Sequence, residues 1–384
     1  MSALRVAIIA DYPEEGWPSM DLVADMLMSQ FDGNGAGIEA TLVRPTLPRR
    51  LSRISGARTA LTADRLAARL WDYPRLVRGI SGTFDVFHVV DHSYSQLVHE
   101  LPPGRTLVTC HDLDTFRSVL APGEERRSAP FRAMTRHILD GFRKAAHVAC
   151  DTEATRAGVI GLASNPPERA SVVYNGPHPA CMPGPDASAD ADAARLMGQD
   201  GRWTDLLHVG STIPRKRIED LLRIVAAVPQ RQPDVRLVRV GGPFTRAQEY
   251  LARELGVTTL VLPFIDRRVL AAVYRRAALV LVPSEREGFG LPVLEALACG
   301  TPVVASAIPA IREVGGEAVT YCAVGDVAGW ARATASLLGE RASGDPAWQR
   351  RTADGLARAG AFTWQRYADR VAQIYRALGP GASC

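Results

Sequence analysis

The fold is decided by the stretch Pro283-Ser-Glu-Arg-Glu-Gly-Phe-Gly-Leu-Pro-Val-Leu-Glu-Ala-Leu-Ala-Cys-Gly-Thr-Pro302, which follows an apolar run ending at Val282. The apolar run predicts a buried strand, the glycines predict a tight turn, and the residues from Pro292 onward predict a helix. Proline fits a first helical turn because the amide that it lacks has no partner there. Strand, glycine-rich turn and helix in this order are typical of an α/β fold with a parallel sheet.

The turn within this stretch predicts an anion site. Amides of Gly290 and Leu291 lie where the predicted helix begins, and there backbone N–H groups lack helical partners and the helix dipole is positive. Two carboxylates accompany them, Glu287 on the turn and Glu295 one turn into the helix, with seven residues between. A carboxylate offers two acceptors in one plane, which suits neighbouring sugar hydroxyls. The alternative is that both glutamates are solvated residues beside an ordinary turn.

Strands and helices alternate on both sides of this stretch. Predicted strands are Arg5–Ala10, Val86–Val90, Thr106–Cys110, Ala146–Cys150, Ser171–Tyr174, Leu206–Val209, Val235–Val240, Leu260–Leu262, Leu279–Val282, Pro302–Ala305 and Ala318–Tyr321. Predicted helices are Met20–Gln30, Phe131–Lys144, Arg217–Ala227, Thr245–Leu255, Arg267–Arg276, Leu291–Ala298, Ala328–Leu338 and Trp364–Leu378. Two successive βα arrays predict two Rossmann-like domains facing each other, with ligands in the cleft beyond the carboxyl ends of the strands.

The expected domain order follows from this alternation. An N-terminal domain spans 1–180, and a proline-rich linker with a short surface helix spans 181–204. A C-terminal domain spans 205–363, and a helix and tail at 364–384 could cross back to the first domain. The length of 384 residues suits two domains of roughly 150–200 residues each.

Composition excludes several classes of protein. With 47% hydrophobic and 22% charged residues the chain is globular, and a net charge of +4 gives no case for nucleic-acid binding. The six cysteines form no CxxC pair, so neither a zinc site nor a disulfide framework is predicted. No apolar run approaches the ~18–20 residues that span a bilayer. The first apolar run predicts a buried strand and not a signal peptide, so we expect a cytoplasmic protein, at most peripheral at the inner face of the membrane.

Two further patterns are too weak to redirect this interpretation. Val240-Gly-Gly-Pro-Phe244 follows a strand but lacks the GxGxxG spacing of dinucleotide-binding folds. Asp112 and Asp114 form an Asp-x-Asp, a pattern that can hold a divalent cation, but three letters are a weak signal and the doubled architecture argues against a metal-dependent single-domain enzyme. We therefore predict no metal and no resident cofactor.

A second loop carries cations at the start of the C-terminal domain. It reads His208-Val-Gly-Ser-Thr-Ile-Pro-Arg-Lys-Arg217, between a predicted strand and a predicted helix. Together with the stretch from Pro283 to Pro302, this loop resembles the signature of family-four retaining glycosyltransferases, which have the GT-B fold. The resemblance implies that two fixed cations of the loop stabilise the charge that builds on a leaving diphosphate. The alternative is a solvated basic turn.

The resemblance implies where a nucleoside diphosphate sugar, such as GDP-mannose or a UDP-sugar, would bind. Lys216 matches the family lysine that holds the diphosphate, while Ser211 replaces a frequent arginine and leaves Arg215 as the nearby second cation. Glu295 would hold the ribose, and Glu287 would contact the sugar as a catalytic residue. The remaining donor contacts would come from the turn, at Gly288, Phe289, Gly290 and Leu291.

The first domain is expected to bind the acceptor, a hydroxyl of a glycan, a lipid or a small molecule. His111 directly follows a predicted strand, and the resemblance implies a catalytic histidine there that faces the donor sugar. His88, Asp91 and His92 could line the acceptor side, and the alternative is that they are polar surface residues at the end of a strand. Trp17 stands where the family has a second glycine, so it could stack on an acceptor sugar or pack internally.

The segment 44–79 is rich in arginine. It holds nine arginines against two aspartates, so its net charge is 9 − 2 = +7. Such a segment could rest on anionic lipid, and the alternative is a solvated face.

The resemblance implies a metal-independent retaining hexosyltransferase that uses a nucleoside diphosphate sugar. The family's mechanism has no covalent nucleophile on the enzyme, and the leaving phosphate helps to deprotonate the acceptor. Two alternatives remain open. One is another GT-B enzyme, such as a nucleotide-sugar epimerase or a phosphorylase, and the other is a non-catalytic nucleotide-sugar-binding protein.

Overall fold

Each half of the chain builds its own parallel sheet. The computed structural model describes residues 3–32, 37–198, 202–228 and 235–380. Contacts divide the chain into two compact units, Met1–Asn175 with Thr363–Cys384, and Gly176–Phe362. Three residues of the predicted linker (199–201) and the last four residues of the predicted tail lie outside the described residues.

The first unit is a six-stranded sheet with helices on its faces. Its strands are β1 (Leu4–Ile9), β2 (Ile38–Val43), β3 (Val86–Val89), β4 (Thr106–Cys110), β5 (His147–Cys150) and β6 (Ala170–Val172). Its helices are α1 (Pro18–Phe31), α2 (Arg58–Ala67), α3 (Tyr73–Ile80), α4 (Arg117–Leu120), α5 (Ala129–Lys144) and α6 (Glu153–Gly161). The strand order is β2-β1-β3-β4-β5-β6 and every pairing is parallel.

The second unit repeats this architecture. Its strands are β7 (Thr204–Val209), β8 (Val235–Val240), β9 (Thr259–Leu262), β10 (Leu279–Val282), β11 (Val303–Ser306) and β12 (Thr320–Cys322). Its helices are α7 (Ala187–Met197), α8 (Ile218–Ala227), α9 (Arg246–Glu254), α10 (Arg267–Arg276), α11 (Leu291–Ala298), α12 (Pro309–Gly315), α13 (Val327–Ser343) and α14 (Pro346–Ala359). The strand order is β12-β11-β10-β7-β8-β9, again with parallel pairing throughout.

Strand sequences explain the burial of both sheets. The strands β3, β4, β10 and β11 are buried along their whole length, as expected for parallel strands covered on both faces. Helix packing supplies the cover, for instance α8 and α13 against Leu206 and Leu281 on one face of the second sheet. The predicted α/β architecture is confirmed. Among the described residues no helix is both long and apolar enough to cross a membrane.

The C-terminal helix α15 (Trp364–Leu378) belongs to the first unit, where it packs against α1. Its Tyr375 hydroxyl lies 2.7 Å from Nδ1 of His88, and Nε2 of His88 lies 2.7 Å from the Thr109 hydroxyl. Burial lowers the pKa of His88 to about 3, so this ring is neutral. The hypothesis that His88 lines the acceptor side is therefore wrong, because the ring is fully buried and its two nitrogens are bonded to Tyr375 of α15 and Thr109 of β4.

We expect Tyr375→Phe to destabilise the first unit by about 1–3 kcal/mol, since it leaves a buried nitrogen of His88 without its partner. Chemical denaturation followed by circular dichroism measures this. Tyr250→Phe is the matched control, because Tyr250 is 63% exposed in the second unit. Equal midpoints for the two variants would contradict a supporting role for the His88 contact.

Candidate functional site

Two loops meet at the carboxyl edge of the second sheet. One follows β7 and contains Arg215 and Lys216, and the other follows β10 and contains Glu285 and Glu287. Because β7 and β10 are neighbours in the sheet, their following loops begin side by side. The Glu285 amide donates to the Arg215 carbonyl at 2.9 Å, which joins the two loops through their backbones.

The Glu287 carboxylate binds both predicted cations. Lys216 Nζ donates to Oε1 at 2.6 Å, and Arg215 Nη1 donates to Oε2 at 3.2 Å. Only 7% of the Glu287 side chain is exposed. Burial by itself would raise the pKa of Glu287, but the Lys216 and Arg215 charges outweigh it and lower the pKa. The triad is thus ionised and carries one net positive charge, 2 − 1 = +1.

The turn before α11 takes the backbone form that the sequence predicted. Gly290 has φ of +93°, a left-handed conformation that favours glycine, and α11 begins at the next residue. Among the described residues, the amides of Gly290 and Leu291 donate to no group. The Phe289 side chain instead packs in the core against Phe362, so only its backbone is available to a ligand. Gly288 is buried beside it.

Glu295 lies inside α11 with a different environment. Its Oε2 accepts from the Tyr274 hydroxyl at 3.0 Å, and its Oε1 accepts from Arg267 Nη1 at 3.3 Å. Burial raises the pKa of Glu295, although Arg267 and Tyr274 act in the opposite direction. Each oxygen has a second lone pair, so the carboxylate can still accept from ligand hydroxyls. No motif in the sequence marks Tyr274, which lies on α10.

The first unit places His111 at the carboxyl edge of its own sheet, just after β4. Its Nδ1 lies 2.8 Å from Oδ2 of Asp151, and its Nε2 lies 2.8 Å from the carbonyl oxygen of Val90. Two acceptors require two N–H donors, so the ring is an imidazolium. Burial alone would lower the pKa of His111, but Asp151 outweighs it and raises the pKa to about 9.

Asp151 was not singled out from the sequence, although it directly follows β5 as His111 follows β4. Two other residues of this edge are tied to their neighbours. Asp91 accepts from the Ser93 amide at 2.7 Å, and His92 Nε2 lies 3.1 Å from the Thr115 hydroxyl.

Trp17 is 56% exposed, so it does not pack internally. Asp112 and Asp114 form a local turn, in which the Asp114 amide donates to Asp112 Oδ1 at 2.9 Å. In the described part of the chain, no group of three or more His, Cys, Asp or Glu side chains is arranged to hold a metal ion.

Family models match most of the chain. The group 1 glycosyl transferase model matches residues 198–349, and the glycosyltransferase family 4 model matches residues 32–180. A D-inositol 3-phosphate glycosyltransferase of Frankia alni is 32% identical over 346 residues, which is 84% of this chain and 80% of that protein. A protein of that name from Mycobacterium sp. (strain JLS) is 35% identical over 257 residues, 64% of this chain. The chain spans about half (55%) of the length of this Mycobacterium relative.

Solved structures share the fold. Sucrose-phosphate synthase from Thermosynechococcus elongatus superposes with a TM-score of 0.72 at 21% identity, covering 98% of this chain and 99% of that one. Anabaena HepE, in complex with UDP and glucose, superposes with a TM-score of 0.71 at 16% identity, covering 97% and 100%. Since both halves match and the Frankia relative is covered over 80% of its length, the chain belongs to the group 1, family-four glycosyltransferases and has their GT-B fold.

Proposed function

We propose that this protein is a retaining glycosyltransferase that moves a hexosyl-type sugar from a nucleoside diphosphate sugar to a hydroxyl acceptor. The carrying observation is the buried triad of Lys216, Glu287 and Arg215 beside the amides of Gly290 and Leu291. A diphosphate is the ligand that such cations and a helix N-terminus suit.

The protein's own hydrogen bonds hold the three side chains of the triad together. Lys216 has three N–H groups and gives one to Glu287, so two remain for phosphate oxygens. Glu287 holds both cations in place, which avoids reorganisation when charge develops on the leaving diphosphate. The second lone pairs of Glu287 can accept hydroxyls of the transferred sugar. Glu295 would hold the ribose hydroxyls in the same way, with Tyr274 and Arg267 fixing its orientation.

The proposed reaction needs no covalent nucleophile on the protein. The bond between the anomeric carbon and the phosphate oxygen breaks while the acceptor oxygen bonds to the same face of that carbon. The acceptor proton passes to the leaving phosphate oxygen. His111 would not take this proton, because its ring is already protonated and both N–H groups are bound. Its contribution would be a fixed positive charge.

Relatives named D-inositol 3-phosphate glycosyltransferases make a phosphorylated cyclitol the first acceptor to test. Donor turnover without any acceptor would instead favour an epimerase, and phosphate-dependent cleavage would favour a phosphorylase. Donor binding without any chemistry would favour a binding protein.

We also propose that part of the first unit contacts a membrane surface. Within the segment 44–79 the exposed apolar side chains include Ile54 at 86% and Trp71 at 61%. Four arginines of the segment are paired with acids, namely Arg44 with Asp25, Arg50 with Asp72, Arg69 with Glu15 and Arg78 with Glu100. Among the described residues, Arg49, Arg53 and Arg58 form no ion pair. Exposed apolar groups flanked by uncompensated arginines suit an anionic bilayer.

Lys216→Met should weaken binding of the nucleoside diphosphate about tenfold or more, because a charge-assisted hydrogen bond to phosphate is lost. Isothermal titration with UDP, GDP and ADP first identifies the base and then measures the loss. Arg223→Met is the matched control, since Arg223 is a surface arginine of α8 paired with Asp220. Unchanged affinity in Lys216→Met, or no binding of any of the three by the native protein, would refute the donor assignment.

The imidazolium of His111 predicts a pH dependence of stability. Its folded pKa of about 9 lies above the unfolded value of 6.5. The stabilisation is therefore complete below pH 6.5 and is lost as the pH rises through about 9. Asp151→Asn should move this loss toward lower pH, measured as the melting temperature against pH. His147→Gln serves as control, because burial lowers the pKa of His147 to about 4 and keeps it neutral throughout.

Membrane contact predicts binding to phosphatidylcholine vesicles only when they contain phosphatidylglycerol. The double variant Ile54→Ser with Trp71→Ser should lose most of this binding in a flotation assay, as burying apolar side chains supplies part of the energy. Tyr250→Ser removes an exposed aromatic from the second unit and should bind like the native protein. Equal flotation with neutral and anionic vesicles, or no flotation at all, would argue against this contact.

A further inference from the structure

Arg239 is a fully buried cation at the carboxyl end of β8. Its exposed fraction is 0%, and it lies across from His208 of β7 in the sheet register. Its Nη2 donates to the carbonyl oxygen of Gly210 at 2.7 Å, and its guanidinium lies 4.9 Å from the ring centroid of Phe244. Nε and Nη1 have no hydrogen-bond partner among the described residues.

This state is unusual for a buried arginine. Arginine is almost never fully buried without a paired acid, because removing its charge from water is costly. Arg236 of the same strand follows the rule, since it donates to both oxygens of Asp205 at 2.7 and 2.9 Å. Among the described residues no acid forms an ion pair or hydrogen bond with Arg239, and burial alone lowers its pKa, to about 10. It therefore stays charged at neutral pH without an internal counter-ion.

The groups around Arg239 do not neutralise it. His208 is buried beside it, and burial together with the charges of Arg239 and Lys216 lowers the pKa of His208, so that this ring is neutral. Lys216 passes close by, since a Cβ placed on Gly210 would lie 3.5 Å from its Cε. The region therefore has an excess of positive charge at the start of the loop that follows β7.

Arg239 also fixes the direction of one peptide group. The Gly210 amide donates to the Val240 carbonyl at 2.8 Å, while the Gly210 carbonyl accepts from Arg239. In a planar trans peptide, the N–H of the next residue points opposite to this carbonyl. The Ser211 amide is thus turned away from Arg239, at an exposed residue, and it has no partner in the described ranges.

A close backbone approach maintains this arrangement. A Cβ on Gly241 would lie 2.4 Å from the Gly210 carbonyl oxygen, so only glycine lets the ends of β7 and β8 come together here. The φ of Gly241 is +118°, which also favours glycine. The close approach of the ends of β7 and β8 therefore keeps Arg239 within hydrogen-bond distance of the Gly210 carbonyl.

We infer that Arg239 is a positioning residue for the donor's diphosphate. It orients the Ser211 amide toward a phosphate oxygen. It also supplies positive charge from the strand beneath the loop, at the place where the loop itself has the uncharged Ser211. The inference rests on the proposed function. It accounts for the absence of an arginine after Gly210, because the charge comes from the neighbouring strand. Binding of the anion would in turn compensate the buried guanidinium.

The test compares nucleoside diphosphate with nucleoside monophosphate, using the base that the native protein binds best. Arg239→Gln should reduce the preference for the diphosphate about tenfold, whereas Arg239→Lys, which keeps the positive charge and N–H donors but not the planar guanidinium, should recover part of it. Arg236→Gln is the matched control, as it removes a buried arginine of the same strand and should leave the preference unchanged while lowering stability. Thermal denaturation reports the folding of each variant.

The outcomes separate the two proposals. If the native protein binds no nucleoside diphosphate, the proposed function fails. If it binds one and Arg239→Gln keeps the native preference, only the inference about Arg239 fails. If Arg239→Gln does not fold, the inference is tested by following the amide proton resonance of Ser211 in the NMR spectrum of the native protein. We expect it to move downfield on adding the diphosphate and not on adding the nucleoside, and an unmoved resonance would overturn the inference.

Discussion

The geometry of the second unit's candidate site depends on one carboxylate held between two cations. Glu287 is buried and binds Lys216 and Arg215, which come from a loop about seventy residues away in sequence. A buried ion pair is costly to break because the remaining charge is left without a partner in a poorly solvated place. The loops after β7 and β10 are therefore held in one arrangement. This arrangement also fixes the positions of the Gly290 and Leu291 amides at the start of α11.

The two glutamates of the motif show how position alone can separate chemical roles. Both are buried, yet the pKa of Glu287 is lowered by its two cations while burial raises the pKa of Glu295. The difference arises because Glu287 lies on a loop that meets a basic loop, whereas Glu295 lies within a helix against a tyrosine and a single arginine. The Glu287 carboxylate holds two cations together. Glu295 has one guanidinium and one neutral hydroxyl as partners, and the second lone pair of each of its oxygens can accept from hydroxyl ligands.

Much of the fold could be predicted because parallel strands are buried on both faces and read as short apolar runs. The strand β2 was not predicted, since Ile38–Val43 lies at the sheet edge and five of its six residues are exposed or partly exposed. The helices α2 and α3 were not predicted either. Arginines mask the apolar face of α3 at Tyr73 and Val77, and the buried residue of α2 is a charged one, Asp64. Local patterns fail where tertiary contacts determine the structure.

The same limit applies to the candidate site. Glu287, Lys216 and Gly290 belong to local motifs, so their residue types and spacing could be recognised. Tyr274 and Asp151 act only through partners that are distant in sequence, at Glu295 and His111, and no local pattern marks them. Arg239 lies in a buried strand, and no local pattern of that strand indicates a role for it. Its role can be inferred only from its burial and from its hydrogen bond to Gly210.

His111 and Arg239 are both buried cations at the carboxyl edge of a sheet, but their charges are balanced differently. His111 has an internal counter-ion in Asp151, so its charge is compensated whether or not a ligand is bound. Arg239 has no such counter-ion among the described residues, and the desolvation of its guanidinium destabilises the folded chain. An anion bound at the adjoining loop would offset that cost, and ligand affinity and folding stability are linked because the ligand binds only the folded state. The uncompensated Arg239 would thus lower the folding stability of the second unit without ligand and raise its affinity for a diphosphate.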